Sequence, residues 1–332
     1  MNSYLHNKKI VILGNYFGKP PAYFQLWMDS CAPNDFFSWV IFSDVDASCF
    51  HVPNNLTLIK CSQMKFKERL EKHFDYEVRY ERPWDACAFK PCTGTIFQDV
   101  LEGADYWGWT DFDLIYGDLR PLISLIGRYD KIMPNGHFSL VRNTNALNKF
   151  ILRHRLTEKA LSIKYKGLAC FDEGAFRTRV LPEYGATEDG EQIPYVHLKP
   201  RAGSFRLGTS IACEHKLGLG RYPSVPFVLT WHRGILTAHF VVRGDMVEDI
   251  SVAYVHFFRR EMAAAAVRFT HEGYYLIKPN VICEYDGHRL SAAEISSLDH
   301  ARINWAYFLK RLTLKTLERK IARCFIKGQP YE

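Results

Sequence analysis

The sequence predicts an α/β fold built around a doubly wound sheet. Over the first 140 residues, short apolar runs that end in polar residues or glycine alternate with segments of helical spacing. Such runs are typical of parallel strands that are buried on both faces. With 332 residues, 47% of them hydrophobic, the chain is long enough to bury a large core. No run approaches the ~18–20 apolar residues of a membrane-spanning helix.

The elements follow in order from these runs. Residues 9–13 predict a first strand that ends at Gly14, and residues 20–31 predict a helix after it. Further along the chain we expect strands at 37–42, 56–59 and 106–110 and helices at 63–73 and 91–101. From about residue 194 we expect short antiparallel strands that pack on the same sheet. We therefore expect one domain over residues 1–290 and a helical appendix over residues 291–332.

Cysteine usage and the N-terminal segment indicate a cytoplasmic protein. The nine cysteines are scattered, and no close pair has C-x-x-C or zinc-site spacing, so free thiols in a reducing compartment are expected. Residues 1–9 run into the first strand without the apolar segment of a secretory signal.

Residues 301–332 hold eight Lys and Arg against two Glu, which accounts for +6 of the net charge of +7. The nearly neutral remainder argues against a nucleic-acid-binding face.

The basic segment at residues 305–325 has helical spacing. Trp305, Phe308, Leu309, Leu312 and Ile321 lie near one side, with cations around the rest. This pattern is typical of an interfacial helix that binds a membrane surface, here the inner face of the cytoplasmic membrane. The alternative is a terminal helix whose apolar stripe packs on the domain.

Two carboxylates follow the strand at 106–110. Alternation directs Asp111 and Asp113 to the same side and Phe112 into the core. Two such carboxylates repel each other unless a cation lies between them, and hard oxygen ligands suit Mg²⁺ or Mn²⁺. A metal that carries a diphosphate would satisfy the site, and neither a P-loop nor G-x-G-x-x-G competes for that role. The alternative is a chance D-x-D that caps a turn.

Other polar and aromatic residues lie where a nucleotide could bind. Asn15, Tyr16 and Phe17 leave the first strand where a base could stack, and Asp44 follows the second strand. Lys90 could neutralise a phosphate. The alternatives are an ordinary turn with a core aromatic, and a lysine that merely begins a helix.

Asp172 and Glu173 precede a helix that we expect over residues 174–180. A carboxylate that faces the crevice at this point could deprotonate an acceptor hydroxyl. The alternative is a pair of acidic residues that stabilises the helix N-terminus through the macrodipole. Spacing alone leaves open which of the two would be the base.

The central part of the chain resembles the bacterial GT-A glycosyltransferases of surface-polysaccharide gene clusters. Those sequences carry a block of the form DFKP…G…FWGxxDxDxxxGD, which residues 82–91, 94–97 and 105–118 resemble. Further similar segments are residues 12–18, 136–139, 171–173 and 255–262. The chain departs from the pattern at Ala88, where a polar or acidic residue is expected, and at Asp85, where Lys is common.

This resemblance implies a GT-A mixed sheet flanked by helices, a nucleotide-sugar donor and transfer of the sugar to an acceptor hydroxyl. It implies Mn²⁺ or Mg²⁺ on Asp111 and Asp113, with His256 as third ligand, and an acceptor-binding role for His137. The expected donor is a UDP-hexose, with galactose in pyranose or furanose form as the guess, and the expected acceptor is a saccharide or lipid-linked saccharide of capsule or lipopolysaccharide. His256 could instead be packed at a strand end.

A nucleotidyltransferase that acts on a sugar phosphate is the alternative. It also needs paired carboxylates and a Rossmann-like sheet. It would usually show a glycine-rich phosphate loop directly after the first strand, whereas residues 14–20 contain only two glycines.

Overall fold

A computed structural model describes residues 8–298, apart from residues 134–135, 169, 190–192, 201–208, 212–225, 243–244, 258–261, 265–266 and 279–280. The basic segment at residues 305–325 lies outside the described residues, as does most of the expected appendix. Within the described ranges, every helix is too short or too polar to cross a bilayer.

Strands and helices alternate over the first half, and strands dominate the second. The strands are β1 (Ile10–Tyr16), β2 (Phe37–Ser43), β3 (Leu56–Lys60), β4 (Tyr106–Thr110), β5 (Leu114–Tyr116), β6 (Lys131–Ile132), β7 (Phe138–Arg142), β8 (Val196–Pro200), β9 (Thr209–Ile211), β10 (Phe227–His232), β11 (Ile235–Val242), β12 (Met246–Ser251), β13 (Tyr254–His256), β14 (Tyr274–Lys278) and β15 (Val281–Glu284). The α-helices are α1 (Phe24–Cys31), α2 (Gln63–Glu71), α3 (Thr93–Ile96), α4 (Asn145–Arg153), α5 (Arg155–Leu161), α6 (Leu181–Tyr184) and α7 (Ala292–Leu298).

The main sheet has six strands in the order β3-β2-β1-β4-β7-β6. Strands β3, β2, β1 and β4 are parallel, whereas β7 runs antiparallel to β4 and β6. The expected mixed α/β sheet flanked by helices is therefore confirmed.

Both faces of the main sheet are buried, as the continuous apolar runs predict. In β1, Ile10 and Ile12 belong to one hydrophobic core and Val11 and Leu13 to another, because successive side chains point to opposite faces. Close approach explains Gly108 in β4: a Cβ there would lie 2.3 Å from the carbonyl oxygen of Ser139.

Within the described residues, the later strands form sheets of their own and do not extend the main sheet. They form a five-stranded antiparallel sheet, β12-β11-β10-β14-β15, and a four-stranded sheet, β5-β13-β8-β9. The chain leaves the main sheet after β4, and β5 pairs with β13 instead. The sheets still share a core, in which the Trp231 indole donates a hydrogen bond to the carbonyl oxygen of Tyr116 at 2.8 Å.

Two helices also differ from expectation. The helix expected over residues 91–101 is replaced by a 3₁₀ helix, Pro83–Cys92, followed by the single turn α3. Pro91 lies inside that 3₁₀ helix and has no N–H to donate, which disfavours an α-helix that runs from residue 83 through Pro91. The helix after Glu173 begins later than expected, with a π-helical turn at Phe176–Val180 that continues into α6.

Candidate active site

The candidate site lies where the order of the main sheet reverses. From β1 the chain builds outward through β2 and β3, and β4 is then added on the other side of β1. In open α/β sheets, ligands bind in the crevice beyond the carboxyl ends of the strands at this switch point. Tyr16 ends β1, with Asn15 directly before it, and Asp111 follows β4 at this edge.

Asp111, Asp113 and His256 come together at this edge. One ligand atom from each lies within 4.8 Å of the others. The His256 Nε2 atom is 3.2 Å from Asp113 Oδ2. Strand pairing brings the histidine in, because His256 at the end of β13 is the partner of Leu114, the residue after Asp113.

Phe112 points into the core with 8% of its surface exposed, so the alternation predicted for D-x-D is confirmed. Burial raises the pKa of Asp111 to about 6, and the charge of Asp113 adds to the shift while Lys90 opposes it. A cation between the two carboxylates would relieve this repulsion. The donor set of two carboxylates and an imidazole therefore fits a divalent metal.

Lys90 is buried beside this cluster and contacts two carboxylates. Its Nζ atom lies 2.6 Å from Asp111 Oδ1 and 3.4 Å from Asp172 Oδ2, and it donates to the Gly136 carbonyl oxygen at 2.9 Å. Burial alone would lower the pKa of Lys90, but the neighbouring acidic groups raise it well above its ordinary value. The three contacts occupy the three N–H groups of the ammonium, so the side chain links the two acidic segments.

Asp172 and Glu173 differ in environment. Asp172 is 8% exposed, is paired with Lys90 and accepts a hydrogen bond from the Glu173 N–H at 3.1 Å. The Glu173 side chain is 51% exposed, and its Oε1 atom lies 4.0 Å from His137 Nδ1. Both pack over Gly136, where a Cβ would lie 2.1 Å from Glu173 Cγ. Glycine at this position therefore permits their placement.

His137 is also part of the site. It is buried, and its ring stacks on that of His256 with centroids 4.1 Å apart. Its Nε2 atom lies 3.0 Å from the Tyr254 hydroxyl, and the Tyr254 ring stacks on Tyr195 at 4.9 Å. Sequence reasoning missed both tyrosines. Alternation along β13 places Tyr254 on the same side as His256 and could have found it, whereas Tyr195 lacks such a local signal.

The residues at the ends of β1 and β2 and directly after them pack locally. Tyr16 lies with its ring 5.2 Å from that of Phe112, and Phe17 contacts Phe66 at 5.4 Å. Asp44 accepts a hydrogen bond from the Gly18 N–H at 2.9 Å. These predicted nucleotide-binding residues therefore lie at the end of β1 and in the turns beside it. Strand β1 pairs directly with β4, the strand that Asp111 follows.

Fold and site together define an α/β protein with a carboxylate and histidine cluster at the switch point of a mixed sheet. Residues 11–286 match the profile of a family of unknown function, DUF6625, and the chain belongs to that family. A comparison with curated protein sequences found no match.

Two solved structures show similarity to this chain. The glycosyltransferase GlyE of Streptococcus pneumoniae TIGR4 is 17% identical, with a TM-score of 0.27 over 46% of this chain and 38% of GlyE. A glycosyltransferase involved in glycosylation of the major capsid of PBCV-1 is 12% identical, with a TM-score of 0.32 over 57% of this chain and 85% of that one. The match to GlyE thus spans less than two fifths of its length.

Proposed function

We propose that this protein is a metal-dependent glycosyltransferase that transfers a hexose from a UDP-sugar to a hydroxyl of a growing bacterial surface polysaccharide. The observation that carries the proposal is the cluster of Asp111, Asp113 and His256, whose ligand atoms lie within 4.8 Å of one another at the switch point of the sheet. The sequence resemblance of residues 82–118 to GT-A enzymes supports the same reading.

Mn²⁺ fits the cluster better than Mg²⁺ does. Carboxylate oxygens suit both ions, but Mg²⁺ strongly prefers all-oxygen coordination, and His256 contributes a nitrogen. When bound, the cation would neutralise charge on the diphosphate of the leaving UDP.

The protein's own groups divide the remaining work. Lys90 holds Asp111 and Asp172 through its ammonium group and thereby positions one metal ligand and the segment that carries Glu173. We assign the base to Glu173, because its carboxylate is half-exposed while that of Asp172 is tied to Lys90. The Glu173 carboxylate would accept the proton of the acceptor hydroxyl, and His137 beside it would orient that hydroxyl.

Galactose is the proposed hexose, and a saccharide or a lipid-linked saccharide of capsule or lipopolysaccharide is the proposed acceptor. Both rest on the sequence resemblance. Peripheral contact with the cytoplasmic membrane through residues 305–325 belongs to the same proposal and rests on the charge and apolar pattern of that segment.

Isothermal titration with UDP and GDP, with and without Mn²⁺, tests the proposal. We expect UDP to bind only with Mn²⁺, and Asp113→Asn to weaken that binding at least tenfold, about 1.4 kcal/mol, because one ligand charge is lost. Asp118→Asn is the matched control: this carboxylate belongs to the same sequence block but pairs with Arg120 at 2.8 Å. Metal-independent binding of UDP, or unchanged binding in Asp113→Asn, would contradict the metal assignment.

A further inference from the structure

The 3₁₀ helix Pro83–Cys92 is unusually long. It has ten residues, whereas 3₁₀ runs longer than about 3–4 residues are uncommon. Because this helix has three residues per turn, side chains at i and i+3 eclipse each other and form straight rows. One row, Ala86, Phe89 and Cys92, is buried at 4%, 1% and 1% exposure and attaches the helix to the core.

A second row leads from the acidic cluster out to solvent. It consists of Lys90, which is buried against Asp111, then Cys87, which is half-buried, and then Trp84, which is 56% exposed. Because Lys90 at the inner end of this row contacts Asp111 at 2.6 Å, the row begins at the site. With a rise of about 2.0 Å per residue, Trp84 lies about 12 Å from Lys90 along the helix axis.

Trp84 stands on a fixed turn. The Asp85 carboxylate accepts hydrogen bonds from the backbone N–H groups of Glu81 and Arg82 at 3.0 and 2.8 Å, and from the Arg82 guanidinium at 2.9 Å. The five other tryptophans within the described residues are at most 1% exposed: Trp27, Trp39, Trp107, Trp109 and Trp231. Trp84 is therefore the exposed member of these six tryptophans, and it stands in the same row as Lys90.

We propose that Trp84 is the aromatic platform of an outer acceptor subsite, where it stacks on the apolar face of a sugar ring. The proposal rests on the glycosyltransferase function proposed above. Charged residues next to Trp84 in the chain, Glu81, Arg82 and Asp85, together with its exposed ring suit a ligand with one apolar face and a hydroxylated edge, which a pyranose has. The distance from Lys90 exceeds the width of one sugar ring, so the ring on Trp84 is not the ring that carries the reacting hydroxyl. The substrate class that follows is an oligosaccharide or polysaccharide acceptor, not a monosaccharide.

The test compares Trp84→Ala with Trp84→Phe and with Tyr184→Ala, a control at an aromatic residue that is 38% exposed on α6. Galactose and the linear di- and trisaccharides of galactose and of glucose are titrated in the presence of UDP and Mn²⁺, and thermal melting checks the fold. We expect the trisaccharide to bind the wild type at least tenfold more tightly than the monosaccharide. Trp84→Ala should abolish that difference, while Trp84→Phe and Tyr184→Ala retain most of it.

The outcomes separate the two proposals. A wild type that binds Mn²⁺ and UDP, but binds none of these saccharides or shows the same length preference after Trp84→Ala, overturns the subsite alone. Loss of Mn²⁺-dependent UDP binding in Trp84→Ala also overturns it, because the ring would then serve the nucleotide. A wild type that fails to bind UDP with Mn²⁺ contradicts the glycosyltransferase proposal itself.

Discussion

Removing the charge of Lys90 should destabilise the protein strongly. In Lys90→Met the carboxylates of Asp111 and Asp172 lose an ammonium at 2.6 and 3.4 Å. At an effective dielectric constant of about 20, these contacts correspond to about 6 and about 5 kcal/mol of Coulomb attraction. The cost of burying the lysine charge offsets much of this, and breaking a buried ion pair typically costs about 3–5 kcal/mol. At about 2 °C per kcal/mol for a chain of this size, the melting temperature should fall by about 6–10 °C.

Urea unfolding of the wild type, Lys90→Met, Asp111→Asn and the double variant measures this effect. The double variant should lose less stability than the two single variants do together, because the unpaired carboxylate is removed along with its cation. Excess Mn²⁺ should restore part of the stability of Lys90→Met, since a cation bound between Asp111 and Asp113 replaces some of the missing charge. Met fills much of the space of the lysine stem, so a lost core volume does not explain the expected result.

Two results would refute this reasoning about Lys90. One is a Lys90→Met variant with the unfolding free energy of the wild type. The other is additivity within about 0.5 kcal/mol between Lys90→Met and Asp111→Asn, because groups in direct contact should couple.

Glu173→Gln should lower turnover by a factor of about 10² or more and leave UDP binding unchanged, because the base is lost. Asp172→Asn should lower turnover less. Equal losses of turnover in steady-state assays would contradict the assignment of Glu173 as the base. Lys131 has a 1% exposed side chain and contacts the Met133 carbonyl oxygen and the Ser139 hydroxyl, and burial lowers its pKa from 10.5 to about 8. Between pH 8 and about 10.5, Lys131 is protonated in the unfolded chain but neutral in the folded protein, so raising the pH favours the folded state. The free energy of unfolding of the wild type, relative to that of Lys131→Met, should therefore rise by about 3 kcal/mol over this pH range. Urea unfolding at several pH values checks this, and a difference that stays constant with pH would argue against the shift.

Local pattern was sufficient for the strands of the main sheet and for the D-x-D pair. The apolar runs at 9–13, 37–42 and 56–59 each mark one of the parallel strands β1–β3, and the continuous run of β1 reflects burial on both faces of its first four residues. Alternation then places the two aspartates on one side and Phe112 in the core, as observed. Local pattern failed at residues 91–101, where the first two residues belong to the preceding 3₁₀ helix and the α-helix is the single turn Thr93–Ile96.

The sequence by itself determined which residue types could form a site, and the tertiary structure decided which of them meet. His256 and Asp113 are 143 residues apart, and Lys90 and Asp172 are 82 apart. Periodicity reports only which face of its own element a side chain occupies. The pairing of β5 with β13 and the packing of the 3₁₀ helix against the edge of the sheet determine these contacts. The predicted contact of Lys90 with a phosphate stays a prediction; in the structure its buried ammonium contacts two carboxylates and the Gly136 carbonyl oxygen, which offset the loss of water.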